Sequence, residues 1–417
     1  VAEHCKFDRK QYFYPDLPKN YQISQFDEPL AENGWLEVEI IEKDKEPYIK
    51  KIGIERLHME EDAGKLVHSG SDRLAGSKYS LVDYNRAGIA LCEIVSKPDI
   101  RSGKEASEYA SEIRRTVRYL GVSDGNMQEG SLRCDVNISV RKGPNAPFGT
   151  KVEIKNMNSF SAIQKACDYE IARQIEVYEN GGKIFQETRL WDEAKQLTKS
   201  MRLKEGSSDY RYFPDPDLGP IEITKAQQEI WFKELPELPS KKRNKYVSQF
   251  GLSAYDARVI SDEISMANFF EETVANGAEA KLASNWVTSD IVGYLKSNKL
   301  SFSELKLSPE NLAEMINMIS KNIISGKIAK EILPELIQKN ISPKKLVEEK
   351  GLAMISDSSS ILPIIDELIN EHPNEVQAFK NGKTKLLGFF VGQLMKRTKG
   401  KADPKLANKL LMEKLNS

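Results

Sequence analysis

The spacing of apolar residues changes about halfway along the chain, and this change limits the fold more than any other feature. In the first half apolar and polar residues alternate, as in residues 35–40 and 52–58. Such alternation predicts strands with one buried face. Beyond the proline-containing stretch 234–240 helical spacing takes over, as at Leu312, Met315 and Ile316. We therefore expect an α+β part followed by an all-helical part.

The length of the chain, 417 residues, predicts two to three domains, since domains usually contain about 100–200 residues. We expect limits at residues 1–235, 236–350 and 351–417. Two helices separate the strands of the first part. One begins with the capping box Ser102-x-x-Glu105, and the other ends at residues 180–182. Because no regular βαβ repeat is visible, the sheet is expected to be largely antiparallel.

Polar residues line one face of two predicted strands, 132–141 and 151–155. They are Arg133, Asp135 and Asn137 in the first strand and Lys151, Glu153 and Lys155 in the second. Interleaved acids and bases on one sheet face suit a site for metal, phosphate and carboxylate. An exposed face with cross-strand ion pairs is the ordinary alternative.

Carboxylates also gather where the predicted strand 52–58 ends, at Glu60, Glu61 and Asp62. Such oxygen ligands suit Mg²⁺, often with substrate phosphates, although a solvated acidic turn is an alternative. Glu93 lies in an apolar strand, where a buried carboxylate needs a metal or an ion pair. Lys10 and Tyr12 form a further group of donors, whose aromatic neighbours are equally suited to a core.

Several classes of protein are excluded or disfavoured by the composition. The sequence has no Walker A, GxGxxG or GxSxG motif, its four histidines lack metal-ligand spacing, and its four cysteines form no CxxC pair. No run of eighteen apolar residues exists, so no membrane partner is expected. The 61 basic and 62 acidic residues nearly cancel. Residues 376–417, however, carry ten Lys or Arg and two acids, which indicates either a solvated helix face or a phosphate-binding tail.

Several longer motifs resemble a known family. They lie at residues 7–16, 21–25, 57–65, 129–139, 155–160, 186–189 and 209–214. In order and along the whole chain, they are similar to the B subunits of the aspartyl/glutamyl-tRNA amidotransferases. The resemblance implies a glutamine-synthetase-like, antiparallel cradle domain, then a helical domain and a YqeY-like helical tail.

The resemblance also implies a reaction, its cofactors and its partners. In this family the A subunit hydrolyses glutamine and the small C subunit straps the heterotrimer. The B subunit uses ATP and Mg²⁺ to phosphorylate the side chain of Glu-tRNA(Gln) or Asp-tRNA(Asn), and channelled ammonia then forms the amide. A bacterial cytoplasm is the expected location, with an organelle as the alternative.

Residue roles follow from the same resemblance. It places Glu61 and Glu93 as Mg²⁺ ligands, and it places Lys10, Tyr12, Asp135 and Glu153 along the catalytic pocket or channel mouth. Lys155 is added to the pocket because it alternates with Glu153. For the basic tail we expect tRNA contacts from Lys396, Arg397, Lys399 and Lys401.

Two other functions remain open on the sequence alone. The family's first strand carries a Glu-x-His element that contributes to the metal site, and some members have a zinc-binding CxxC there; neither is present in this sequence. The chain would then be a tRNA-binding scaffold with an incomplete catalytic site. A stand-alone ligase for a small carboxylate is the second alternative, and the large helical half disfavours it.

Overall fold

The computed structural model describes residues 1–69, 78–203, 210–354, 358–398 and 400–416. The chain divides into two compact units, residues 1–240 and 241–417. The first unit mixes strands and helices and the second is helical, so the predicted α+β class is confirmed. In the described ranges no helix is both long and apolar enough to cross a bilayer.

Fourteen strands and two long helices build most of the described part of the first unit. The strands are β1 (His4–Cys5), β2 (Asp8–Gln11), β3 (Tyr21–Ser24), β4 (Ala31–Ile40), β5 (Tyr48–Glu61), β6 (Lys65–His68), β7 (Ser80–Asp83), β8 (Ala90–Ser96), β9 (Val136–Ile138), β10 (Val152–Lys155), β11 (Glu187–Asp192), β12 (Leu197–Leu203), β13 (Phe213–Pro214) and β14 (Ile221–Glu222). The long helices are α1 (Gly103–Tyr119) and α2 (Phe160–Glu179), and α3 (Lys225–Glu234) follows.

The strands pair into small sheets rather than one large one. Their orders are β1-β14, β12-β11-β10-β9, β13-β2-β3, β4-β5-β8 and β6-β7. Strands β10 and β11 run parallel, whereas the other described pairs are antiparallel. The sheets β13-β2-β3, β4-β5-β8 and β12-β11-β10-β9 carry the candidate site.

Helices α1 and α2 cover the sheets because their apolar faces are buried against them. Ile154 of β10 and Trp191 of β11 share a core with Ala106 of α1 and with Ile163 and Cys167 of α2. The helix starts follow the sequence signals. The Ser102 side chain accepts the Glu105 N–H, and the Ser159 side chain accepts the Ala162 N–H.

The second unit contains two separate hydrophobic cores. The first lies among α4 (Pro239–Ser248), α5 (Ala254–Ile260), α6 (Ile264–Ala275), α7 (Ala280–Asn285), a π-helical turn (Trp286–Ile291), α8 (Val292–Asn298), a short 3₁₀ turn (Phe302–Glu304), α9 (Pro309–Ser320), α10 (Gly326–Lys339) and α11 (Pro343–Glu349). The second lies among α12 (Ser358–Glu371), α13 (Pro373–Lys380), α14 (Leu386–Arg397) and α15 (Pro404–Asn416). The predicted limits at 235 and 350 stay predictions.

Two sequence expectations about the strands are wrong. The predicted strand 132–141 pairs in the ladder at Val136–Ile138 alone, because its neighbour β10 is only four residues long. Glu93 was expected to be buried. It lies in β8, which is the edge strand of its sheet, and its side chain is 51% exposed.

Candidate active site

An acidic cluster lies where β5 and β8 pair. His58 is directly opposite Glu93 in the ladder, and Glu60 follows His58 by two residues, so the three side chains share one face. The His58 Nε2 atom is 3.8 Å from Glu60 Oε2 and 3.9 Å from Glu93 Oε2. Each residue offers a ligand atom within 4.8 Å of the other two. His58 and Glu60 are largely buried, so the cluster opens to solvent on the Glu93 side.

Arg56 lies two residues before His58 on β5 and contacts its ring. Arg56 Nε donates to His58 Nδ1 at 3.4 Å. The other ring nitrogen, Nε2, faces Glu60 and Glu93. The two carboxylates supply the hard oxygen ligands that Mg²⁺ prefers.

Glu61 lies on the opposite face of β5 from this cluster. Its Oε1 atom is 2.6 Å from Lys19 Nζ and accepts the Ile23 N–H of β3 at 3.0 Å. Successive side chains of a strand point to opposite faces, so Glu61 cannot share the face of Glu93. The structure does not bring the predicted pair Glu61 and Glu93 together, and Glu60 takes the place beside Glu93.

Five aromatic side chains form a continuous row that we call the aromatic file. In spatial order it contains Tyr14, Tyr12, Tyr210, Tyr212 and Phe26. Consecutive ring centroids are 5.5, 6.3, 6.2 and 4.3 Å apart. The first and last pairs are stacked, with interplanar angles of 6° and 12°. The file joins the end of β2 to the segment before β13, about 200 residues away in sequence.

Lys10 lies beside the aromatic file. Its Nζ atom is 4.9 Å from the centre of the Tyr210 ring, which is within cation–π distance. Within the described ranges it makes no ion pair. The structure therefore brings the predicted residues Lys10 and Tyr12 together, through the Tyr210 ring.

Tyr212 of the aromatic file lies within electrostatic range of the acidic cluster. Burial raises the pKa of Tyr212 to about 12, and Tyr210 and the charges of Glu60 and Glu93 act in the same direction. Charges raise the pKa of a phenol in this way when they lie near it. The phenol thus stays protonated at neutral pH beside the two carboxylates.

A second polar group lies on β10. Lys155 pairs with Asp135, and its Nζ atom is 3.5 Å from Glu153 Oε1. Glu153 also accepts the Thr188 hydroxyl at 2.8 Å. Burial lowers the pKa of Lys155, but the hydrogen bond and charge of Asp135, together with Glu153, outweigh it, so the pKa is raised. The structure brings together the predicted residues Asp135, Glu153 and Lys155, and keeps Lys155 cationic.

Asp62 connects the end of β5 with the segment that precedes β9. Its Oδ2 atom accepts from Arg86 Nη2 at 2.5 Å and from Arg133 Nη2 at 2.7 Å, while its Oδ1 atom accepts the Ala63 N–H at 2.9 Å. The Asp62 side chain is 16% exposed. This clasp joins the segment that bears the acidic cluster to the segment that leads to Asp135.

The basic residues that were predicted to contact tRNA do not share one environment. Arg397 pairs with Glu371 and with Glu367, the latter at 3.2 Å, and Lys401 Nζ donates to the Gly351 carbonyl at 2.6 Å. Lys396 is exposed and makes no ion pair among the described side chains. Lys399 lies outside the described residues.

Sequence reasoning missed three aromatic members of this site. Glu60 was among the three acids expected near a metal, and strand alternation counted from His58 would have selected it over Glu61. Tyr210 and Tyr212 lie in a motif that carries the family resemblance, but no pattern in the sequence shows that it reaches β2. Phe26 has no sequence signal.

The arrangement has the donors that a magnesium-dependent phosphoryl transfer requires. Mg²⁺ is usually held by one or two carboxylates and completes its shell with water and substrate phosphates. Glu60 and Glu93 fit this description, because both lie on one face and Glu93 is half exposed. Lys10 adds a cation for an anionic substrate group.

Comparisons with known proteins identify the family. A model described as the GatB/GatE catalytic domain matches residues 1–229, and a model described as a GatB domain matches residues 268–415. The B subunit of the aspartyl/glutamyl-tRNA(Asn/Gln) amidotransferase from Prochlorococcus marinus strain MIT 9312 is 95% identical over 416 residues, which is 100% of this chain and 85% of that protein. The B subunit of the same description from Parasynechococcus marenigrum strain WH8102 is 72% identical over 415 residues, 100% of this chain and 84% of its own. The chain therefore belongs to the family of aspartyl/glutamyl-tRNA(Asn/Gln) amidotransferase B subunits.

Proposed function

We propose that this chain activates the side-chain carboxylate of Glu-tRNA(Gln) or Asp-tRNA(Asn) with ATP and passes it to ammonia. The observation that carries the proposal is that Glu60 and Glu93 offer carboxylate oxygens within 4.8 Å of each other on one face of the β5–β8 ladder. Lys10, on β2, adds a cation that has no ion-pair partner among the described residues. The family membership supplies the substrate class.

Glu60 and Glu93 would hold Mg²⁺, and the His58 ring lies against both, with Nε2 at 3.8 and 3.9 Å from their nearest oxygens. The Mg²⁺ ion, when bound, neutralises charge on the phosphates of ATP. Because the Glu60 side chain is only 10% exposed, its packing restricts the carboxylate before the ion arrives. Preorganised ligands of this kind lose little conformational entropy on binding.

Two lysines would act on the anionic groups of the substrates. Lys10 would bind a phosphate, since its ammonium is held by an aromatic ring and not by a carboxylate. Lys155 has a raised pKa, so it would act as a fixed cation for the substrate carboxylate and not as a base. Asp135 and Glu153 would hold this cation in place.

The reaction balances as two displacements. A side-chain carboxylate oxygen of the aminoacyl group attacks the γ-phosphorus of ATP, the bond to the β-phosphate oxygen breaks, and ADP leaves. Ammonia then attacks the acyl carbon, the carbon–oxygen bond to the phosphoryl group breaks, and phosphate leaves with that oxygen. The amide loses a proton to solvent or to a neighbouring base. The product is Gln-tRNA(Gln) or Asn-tRNA(Asn).

We expect this reaction to take place in a complex of three subunits. The enzyme would be a glutamine-hydrolysing carbon–nitrogen ligase in which an A subunit supplies ammonia and a C subunit completes a heterotrimer, in a bacterial cytoplasm. The first unit would be the glutamine-synthetase-like cradle. The helices from α12 to α15 would contact the tRNA body, with Lys396 as the exposed cation.

The test is amidation by the assembled complex with ammonium in place of glutamine, which bypasses the A subunit's glutaminase. We expect Gln-tRNA(Gln) or Asn-tRNA(Asn) to form with ATP and Mg²⁺ and not without them. Glu93→Gln should lower this rate at least about 100-fold while leaving tRNA binding and glutamine hydrolysis intact. Loss of tRNA binding in parallel would contradict the assignment. A wild-type complex that binds tRNA but forms no product would favour the scaffold function.

A further inference from the structure

We propose that the aromatic file binds the unpaired bases at the 3′ end of the aminoacyl-tRNA and so places the aminoacyl group beside the acidic cluster. This inference rests on the proposed function, because that function supplies the tRNA substrate. It assigns a binding surface to a row of five rings whose two outer members, Tyr14 and Phe26, are exposed.

The geometry of the file suits stacking with bases. Phe26 at one end is 57% exposed and Tyr14 at the other is 43% exposed, so both ends present a ring to solvent. Phe26 is backed by Tyr212 at 4.3 Å and Tyr14 by Tyr12 at 5.5 Å. Each outer ring is thus held in a fixed orientation, which lowers the entropy cost of stacking a ligand on it.

Phe26 is also fixed through its backbone. Its N–H donates to Asp8 Oδ2 at 3.0 Å, and the Asp8 side chain is buried in β2. The ring partner and the backbone hydrogen bond together keep the Phe26 ring in one orientation. The same features are expected of a platform that must hold a base in one position.

Charge favours a nucleic acid over a neutral apolar partner. Lys10 lies against the middle of the file and forms no ion pair with the described residues. Single strands are bound by combining such cations with aromatic rings on which successive bases stack. Tyr212 lies within electrostatic range of Glu60 and Glu93, and we expect a strand lying on the file to end on this side of it.

The length of the file favours the tRNA end over ATP. One nucleotide has one base and needs one ring or a pair of rings. The two exposed rings, Tyr14 and Phe26, lie at opposite ends of the row, so the file offers places for more than one base. Next to Tyr14 there is a shallow recess of about 380 Å³, lined also by Phe13, Leu17 and Tyr84, which extends the aromatic surface further.

Phe26→Ala in the assembled complex tests the proposal. The probe is Glu-tRNA(Gln) with 2-aminopurine in place of the terminal adenine, because stacking quenches its fluorescence. Phe148→Ala is the matched control, since Phe148 has the same exposure of 57% and lies outside the file. Phe26→Trp keeps an aromatic ring and shows whether stacking, and not folding, is what Ala removes.

We expect the wild type, Phe26→Trp and Phe148→Ala to quench the probe, and Phe26→Ala to leave it bright. The KM for Glu-tRNA(Gln) should rise about tenfold in Phe26→Ala, with kcat and the KM for ATP little changed. A rise in the KM for ATP, an unchanged KM for tRNA, or failure of Phe26→Ala to assemble with its partner subunits would overturn the proposal. An inactive wild-type complex would overturn the proposed function as well, whereas an active wild type that Phe26→Ala matches would overturn the aromatic file alone.

Discussion

Replacing Asp62 by asparagine should loosen the clasp between the two polar groups of the candidate site. In the wild type, Asp62 Oδ2 accepts from both Arg86 and Arg133, and Oδ1 accepts the Ala63 N–H. An asparagine cannot satisfy all of these donors. In one orientation its NH₂ group faces two guanidinium groups, and in the other it faces the Ala63 N–H.

The size of the effect of Asp62→Asn follows from how exposed Asp62 and its two arginine partners are. The Asp62 side chain is 16% exposed, Arg86 is 33% exposed and Arg133 is 46% exposed, so the ion pairs are partly screened. Allowing about 1 kcal/mol for each of the two pairs gives about 2 kcal/mol in all. If all of this appears as misplacement of reacting groups, kcat/KM falls about 30-fold.

The assay is ammonium-dependent amidation, measured together with thermal unfolding. Asp83→Asn is the matched control, because Asp83 accepts from Asn85 alone among its described contacts, at 3.0 and 2.6 Å. Asp62→Glu keeps the charge and should recover part of the rate. The reasoning is refuted if Asp62→Asn stays within about twofold of the wild type, or if Asp83→Asn loses as much activity.

Three further changes test other parts of the structure. Glu60→Gln should abolish amidation, while Glu61→Gln, on the other face of β5, should retain most of it. If Glu61→Gln abolishes amidation and Glu60→Gln does not, Glu61 is the metal ligand, as the family resemblance implies. Glu271→Gln should destabilise the second unit by about 2 kcal/mol at neutral pH and so lower its melting temperature. The reason is that the nearly buried Lys242 loses the charge of its 2.7 Å partner. Burial raises the pKa of Glu271, but Lys242 outweighs it and the pKa is lowered. This stabilisation is therefore present above pH 4.5 and is lost as the pH falls further, so the two melting temperatures should converge in acid. Lys396→Ala should weaken tRNA binding and reduce its salt slope by about one; an unchanged slope in filter binding would remove this lysine from the interface.

Much of the secondary structure could be predicted from the sequence, because capping and strand alternation depend on neighbouring residues alone. The capping serine Ser102 and the alternation at residues 52–58 both lead to the observed elements. Alternation also brings Lys10 and Tyr12 onto one face of β2 and its extension. The same rule, applied from His58, selects Glu60 over Glu61. The family resemblance, taken by itself, selected the neighbouring acid.

The remaining features depend on contacts between distant segments. The aromatic file joins residues near 12 with residues near 210, and the clasp at Asp62 joins residues 71 apart in sequence. Neither leaves a periodic signal. Glu93 was expected to be buried because its neighbours in sequence are apolar, but the edge position of β8 decides its exposure. Edge and central strands cannot be distinguished until the pairing is known.

In the proposed reaction the substrate's side-chain carboxylate is phosphorylated before ammonia attacks it. The most direct test uses Glu-tRNA(Gln) labelled with ¹⁸O in the side-chain carboxylate, incubated with the assembled complex, ATP, Mg²⁺ and ammonium. The released phosphate is then analysed by mass spectrometry. We expect one ¹⁸O atom to be transferred to phosphate for each Gln-tRNA(Gln) formed. Phosphate without ¹⁸O, at the same yield of Gln-tRNA(Gln), would contradict it.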